Sequence, residues 1–350
     1  MKILLLQLKR IGDLILTTPV IRCLREEFPN ACVAVVVDSS CASLLDSIPV
    51  DERWIYKKGG GLRGAFGWGP NAWLKHSLSG FGADWALDFT GTDRSAYLSA
   101  FSRSRRRVTF QRFKKKPLRK FLYTDFVNSS VSKRHTADHY TDLLGPLGVQ
   151  RENVPLDLRL RAEDLGEARA LLAKEGVADA YVVVHAGTAR PEKYWLPERW
   201  ADVVGFLHDE LGLVSVLTGS QDPIEREHLA RIKSLLRCKH VDLSGKTNLL
   251  TLAAVIEGAE FLCGVDTAAI HLADAMNTPS LALFGPTNPY HWRPRHAISV
   301  VLRARTRPPF TPQQKGGAME DIPVGSVIEG LKELLADRAT SELDTERDGS

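Results

Sequence analysis

Residues able to do chemistry cluster in a few short stretches of this chain. In the run 260–294 an apolar segment ends abruptly at Asp266 and Thr267. Apolar residues at helical spacing follow, with His271 among them, and a second apolar run stops at Gly285 and Pro286. A strand that feeds straight into a helix leaves free backbone amides at the helix start. With the positive end of the helix dipole, these make a ready anion site. The stretch therefore predicts a bound phosphate, taken by Thr267 and the amides after it. A diphosphate would repel Asp266, which is better placed to accept hydrogen bonds from hydroxyl groups of a ligand or to orient His271. The plainer reading of His271 is a satisfied core histidine.

The segment 185–197 reads His-Ala-Gly-Thr-Ala-Arg-Pro-Glu-Lys-Tyr-Trp-Leu-Pro and joins a strand to a helix. Gly187 and Thr188 offer backbone and hydroxyl donors to a phosphate, and Lys193 adds a point charge. Against this stands the common case of a solvated lysine. Glu225 follows Gly-Ser-Gln-Asp-Pro after a further strand and reads, on residue grounds alone, as a solvated first-turn charge. Asp13 sits with Gly12 where the first strand meets the first helix. It is either a helix-start residue or a base that takes the proton from an attacking hydroxyl. The helix dipole favours its ionised form.

Three other patterns lead elsewhere. Gly59-x-Gly61-x-x-Gly64 matches a dinucleotide fingerprint, but Gly67, Gly69 and Pro70 follow where a helix should start, so a flexible loop is the better reading. Gly245-Lys246-Thr247 ends like a phosphate-binding loop, yet His240 stands where that motif needs glycine. His135 and His139 lie one helical turn apart without an evident third ligand, so no metal site is expected.

To place these residues the chain needs alternating strands and helices. Apolar runs at 2–8, 31–37, 53–56, 84–89 and 107–110 read as strands, with helical patterns at 14–28, 41–47, 94–101 and 136–147. A second set has strands at 180–185, 213–218, 261–265 and 280–284, and helices at 162–175, 197–211, 225–236, 249–256 and 268–276. Such alternation predicts parallel sheets with crossover helices, an α/β class. The expected domains are 1–158 and 159–322, followed by a helix at 323–337 and a polar, disordered tail at 338–350.

With 350 residues, 44% hydrophobic and 25% charged, the chain has the composition of a soluble two-domain protein. No apolar run approaches a membrane span, and the N-terminus reads as a strand rather than a signal peptide. Five cysteines without a Cys-x-x-Cys favour a reducing compartment. The net charge of +4 is local in origin. Ten Lys and Arg and no acid fill 103–120, and without them the balance turns negative. No nucleic-acid module accompanies that stretch, so an anionic lipid surface is the expected partner.

The signature Asp266-Thr267, His271 and Phe284-Gly285-Pro286-Thr287 resembles that of the glycosyltransferase family 9 heptosyltransferases. Ile11-Gly12-Asp13 with Thr17-Thr18-Pro19, and the stretches 88–94 and 135–148, extend the resemblance over about residues 1–336. Ala268 and the run Pro289-Tyr290-His291-Trp292 lean toward the heptosyltransferase III-like branch. The resemblance implies a GT-B fold, two Rossmann-like domains with parallel sheets facing a central cleft, the first binding acceptor and the second the nucleotide sugar. It implies inverting transfer of heptose from an ADP-activated donor to the lipopolysaccharide inner core, with Asp13 as general base and no cofactor or protein-held metal. Thr188, Lys193, Glu225, Asp266, Thr267 and His271 would then bind donor, Glu225 through the ribose, a role that Asp222 or Glu227 could fill instead. Lys9, Arg105, Arg106, Arg107, Lys114 and Lys115 would meet the acceptor or an anionic inner-membrane surface from the cytoplasmic side. Alternatives are a GT-B enzyme with another nucleotide sugar or acceptor, including a non-hydrolysing sugar epimerase, or a non-enzymatic basic membrane- or nucleic-acid-binding protein.

Overall fold

Each half of the chain builds a six-stranded parallel sheet. The computed structural model describes residues 1–58, 71–178, 180–304 and 308–348, with the backbone alone at 118 and 341–348. The glycine fingerprint at 59–64 lies outside the described residues. The chain divides into two units, Met1–Arg159 and Leu160–Ser350.

The first unit contains β1 (Lys2–Gln7), β2 (Cys32–Asp38), β3 (Glu52–Tyr56), β4 (Trp85–Asp88), β5 (Arg106–Phe110) and β6 (Asp125–Val127), in the order β3-β2-β1-β4-β5-β6. The second contains β7 (Tyr181–His185), β8 (Val214–Leu217), β9 (His240–Asp242), β10 (Leu262–Val265), β11 (Ser280–Phe284) and β12 (Ser299–Arg303), in the order β12-β11-β10-β7-β8-β9. Both follow one plan, the Rossmann strand order. The first strand is central, the chain moves outward over two strands, then returns to the other side of the first. The reversal lies between β1 and β4 in one unit and between β7 and β10 in the other. At such a switch point the loops after two neighbouring strands diverge, and a ligand site forms at the carboxyl ends.

The inner strands follow from their sequence. Ile3, Leu4, Leu5 and Leu6 of β1 and Val33 to Val37 of β2 are fully buried, as strands covered on both faces must be. The sequence reading did not contain β6, β9 or β12. The first two have three residues each, with mixed burial, and present no continuous apolar run. The expected helix at 136–147 is α-helical only over Thr136–Thr141 and continues as a 3₁₀ segment, Asp142–Leu147. Pro146 inside that segment cannot supply the amide an α-helix requires.

The last helix, Val324–Asp348, places Val327, Leu331 and Leu334 in the core of the second unit. This helix runs on past 338, where the sequence predicts the polar tail to begin. Arg338 donates to the Glu260 carbonyl at 3.0 Å and pairs with the Glu260 carboxylate. No glycine or proline interrupts 331–348, so a helix already nucleated on the core extends through polar residues.

Candidate functional site

In the first unit the turn after β1 carries Asp13 in a short helix, Ile11–Ile15. The Tyr140 hydroxyl donates to Asp13 Oδ1 at 2.5 Å. Lys9 Nζ donates to the Tyr140 oxygen at 3.0 Å and lies 3.6 Å from Asp13 Oδ1. Gln7 fixes the turn by donating to Thr17 Oγ1 at 2.8 Å, and Thr17 donates to the Asp13 carbonyl at 2.8 Å. Burial, then the Asp13 charge, pushes the Tyr140 hydroxyl well above its ordinary pKa, so it stays a donor. Burial lowers the Lys9 ammonium despite the attraction of Asp13. Asp13 keeps a side-chain exposure of 16%. The phenol and the ammonium thus fix the orientation of this carboxylate while part of it stays exposed.

The neighbouring loop after β4 is held by Asp88. It is fully buried and accepts from the Thr90 amide at 2.8 Å, the Gly91 amide at 3.1 Å and the Tyr123 hydroxyl. Burial raises its pKa. Thr90 Oγ1 accepts from the Leu8 amide at 2.7 Å, which joins this loop to the one carrying Lys9.

In the second unit the loops after β7 and β10 meet at the switch point. Lys193 is not a surface lysine. It is buried, and its ammonium donates to the Asp266 carbonyl at 2.9 Å and to Asp266 Oδ2 at 2.5 Å. Thr267 caps the helix Ala268–Ala275, its hydroxyl accepting from the Ala269 amide at 3.3 Å. Thr188 is buried, and its hydroxyl accepts from the Arg190 amide at 3.3 Å. His271 is buried within the helix beside Asp274.

Glu225 is not the solvated charge that its residue type suggests. It is buried against the loop after β8, where Ser220 donates its amide at 2.7 Å and its hydroxyl at 2.6 Å. A Cβ added to Gly187 would strike the Glu225 carboxylate, and one on Gly219 would stand 2.8 Å from Oε1. Asp222 is occupied as the cap of helix Pro223–Leu235, and Glu227 is exposed. His185 contacts Thr218 Oγ1 at 2.8 Å and is kept neutral by burial. This half-site therefore gathers an ammonium, two hydroxyls, a helix start and two carboxylates at the ends of three adjacent strands.

A family model described as Glycosyltransferase family 9 (heptosyltransferase) matches residues 72–321. The chain belongs to glycosyltransferase family 9. A family 9 structure from Veillonella parvula superposes with a TM-score of 0.83 at 24% identity, over 96% of this chain and 97% of that one. E. coli ADP-heptose lps heptosyltransferase II gives 0.79 at 22% identity, over 97% and 100%. Lipopolysaccharide heptosyltransferase 3 of Escherichia coli is 25% identical over 338 residues, 94% of this chain and 98% of that protein. The GT-B assignment agrees with these superpositions and with the two sheets.

For this family 9 chain, Asp13 and Lys9 come together in one unit, and Thr188, Lys193, Glu225, Asp266 and Thr267 line the strand ends of the other. Of the basic residues, Arg106 is engaged by Asp125 at 2.8 and 2.5 Å and lies over the Trp85 ring. Arg107 donates to the carbonyls of Leu122 and Ser104, both at 2.7 Å. Arg105, Lys114 and Lys115 are exposed. His139 stacks on Phe110 at 3.8 Å and contacts Ser129, while His135 caps its helix. Among the described residues no group of three or more His, Cys, Asp or Glu is placed to hold a metal ion. Asp88 and Tyr140 lie in the stretches 88–94 and 135–148 that the sequence singles out, but neither they nor Tyr123 has an individual role legible there. Tyr140 lies 127 residues from Asp13, and no local pattern links them.

Proposed function

We propose that this family 9 enzyme transfers heptose from ADP-heptose to a heptose of the lipopolysaccharide inner core, with inversion. The first unit takes the acceptor and the second the donor. Asp13 removes the proton of the acceptor hydroxyl, whose oxygen attacks the anomeric carbon. The bond to the diphosphate breaks, and ADP leaves with the electron pair. An ammonium has three donors. Two of those on Lys193 are given to Asp266, and the third is left for the diphosphate, with Thr188, Thr267 and the start of helix Ala268–Ala275 beside it. Glu225 accepts from the ribose hydroxyls, and Asp266, steadied by Lys193, accepts from the sugar.

The observation that carries this reading is the Asp13 carboxylate, gripped by Tyr140 and Lys9 at the switch point of its sheet. The donor follows from the family and from the names of the relatives, and the exposed cations fit a phosphorylated, lipid-anchored acceptor at the cytoplasmic membrane face. No helix among the described residues is long and apolar enough to cross a membrane, so contact there would be peripheral. No metal is needed if Lys193 and the helix start take the leaving charge.

A thermal-shift panel of ADP-, UDP- and GDP-sugars tests the donor half. A rise in melting temperature confined to ADP ligands is expected, and an equal response to UDP-sugars would overturn it. Mass-shift analysis of a core oligosaccharide acceptor incubated with ADP-heptose tests the transfer itself.

A further inference from the structure

Phe121 is the most exposed large hydrophobic side chain among the described residues, at 78% against 57% for Ile224 and 47% for Trp73. It belongs to the helix Pro117–Leu122, and that helix is no loose excursion. Arg119 donates to the Asp93 carboxylate at 2.7 Å and to the Gly91 carbonyl. Arg107 donates to the Leu122 carbonyl at 2.7 Å, and the Tyr123 hydroxyl is bonded to Asp88. These contacts fasten one side of the segment to the sheet and hold the ring outward, so its exposure is a property of the fold.

Apart from Asp93, which Arg119 engages, the charge near the ring is positive. Lys114, Lys115, Lys116 and Lys120 are exposed, and no acid occurs between Asp93 and Asp125. A phenyl ring in water and a crowd of like charges are both unfavourable. A surface that is anionic outside and apolar just beneath relieves both at once. A shallow apolar anchor or a basic patch alone gives weak, reversible membrane binding, whereas the two together hold. Duplex nucleic acid supplies the phosphates but keeps its base faces stacked away from such a ring.

We propose that Phe121 and these four lysines form a membrane-insertion point. The ring enters the boundary between headgroups and acyl chains of an anionic bilayer, and the lysines meet the headgroup phosphates. This rests on the lipid-anchored acceptor proposed above and adds the residue that inserts.

The test is co-sedimentation of the full chain with phosphatidylcholine vesicles, with and without phosphatidylglycerol. Wild type should bind only the anionic vesicles, and Phe121→Ser should bind them about tenfold more weakly with an unchanged melting temperature. Changing all four lysines to Gln should abolish the salt dependence of binding. Phe121→Trp should restore binding, and brominated acyl chains should quench its added emission, with wild type as the baseline for the native tryptophans. Equal binding by wild type and Phe121→Ser, or an unquenched Trp in the bound variant, overturns insertion but leaves the basic patch. Failure of wild type to bind anionic vesicles overturns both. Phe121-dependent binding to a single-stranded oligonucleotide in place of vesicles overturns the choice of partner. None of these outcomes bears on the ADP-sugar thermal shift, so the transferase reading is judged separately.

Discussion

Lys193 and Asp266 lie 73 residues apart in the chain and 2.5 Å apart in the fold, both with most of their side-chain surface removed from water. Each is delivered by the loop after one of two neighbouring strands, β7 and β10. Leaving one partner unpaired is costly, because an uncompensated charge stays buried. Lys193→Met should destabilise the enzyme by about 3–5 kcal/mol. Adding Asp266→Leu should recover most of that loss. Urea unfolding of the two variants measures it, and calorimetry should show ADP affinity reduced in both.

Asp13→Ala should lower the transfer rate by about 10²–10⁴-fold while leaving ADP affinity unchanged, since the proposed base acts on the acceptor. Single-turnover assay beside calorimetric titration separates the two. A retained rate would remove Asp13 from its role.

Tyr140→Phe keeps the ring and deletes the donor to Asp13. Loss of a hydrogen bond to a charged group predicts a fall in kcat of about ten- to a hundredfold with KM little changed. A rise in KM without loss of kcat would instead assign Tyr140 to acceptor binding.

Gly187→Ala places a methyl group against the Glu225 carboxylate. Overpacking of this kind costs about 1–3 kcal/mol, and the predicted sign is weaker ADP binding with the fold retained. Calorimetry with ADP and a melting curve provide the check. Full-strength binding would mean that Glu225 swings aside without consequence.

Burial lowers His139 from 6.5 to about 3 and His228 to about 4. The unfolded chain takes up these protons near pH 6.5 while the folded one resists, so stability present above pH 6.5 is lost as pH falls toward the folded values. His139→Phe, which keeps the stack on Phe110, should flatten the decline in melting temperature between neutral and mildly acidic pH. An unaltered slope would show that other groups govern it.

What the sequence revealed, it revealed through local pattern. The buried strands announce themselves as apolar runs, and Asp13, Thr188 and Thr267 lie in turns that follow them. The outer strands β6 and β9 are too short and too incompletely buried to leave such a trace. Pairings such as Tyr140 with Asp13, or Ser220 with a buried Glu225, depend on which loops the sheet order brings together, and a residue type does not carry that information. The same limit explains Arg106 and Arg107. Their charge was legible, but their engagement with Asp125, Leu122 and Ser104 was not.

The grip of Tyr140 on Asp13 also bears on synthesis. A nascent chain has made β1 and its turn long before residue 140 leaves the ribosome, so the front unit can assemble most of its sheet while its carboxylate still lacks its phenol. A fragment ending just before Thr136 should therefore contain the sequence of all six strands and yet lack the hydroxyl bonded to Asp13, that contact being among the last in the unit to close.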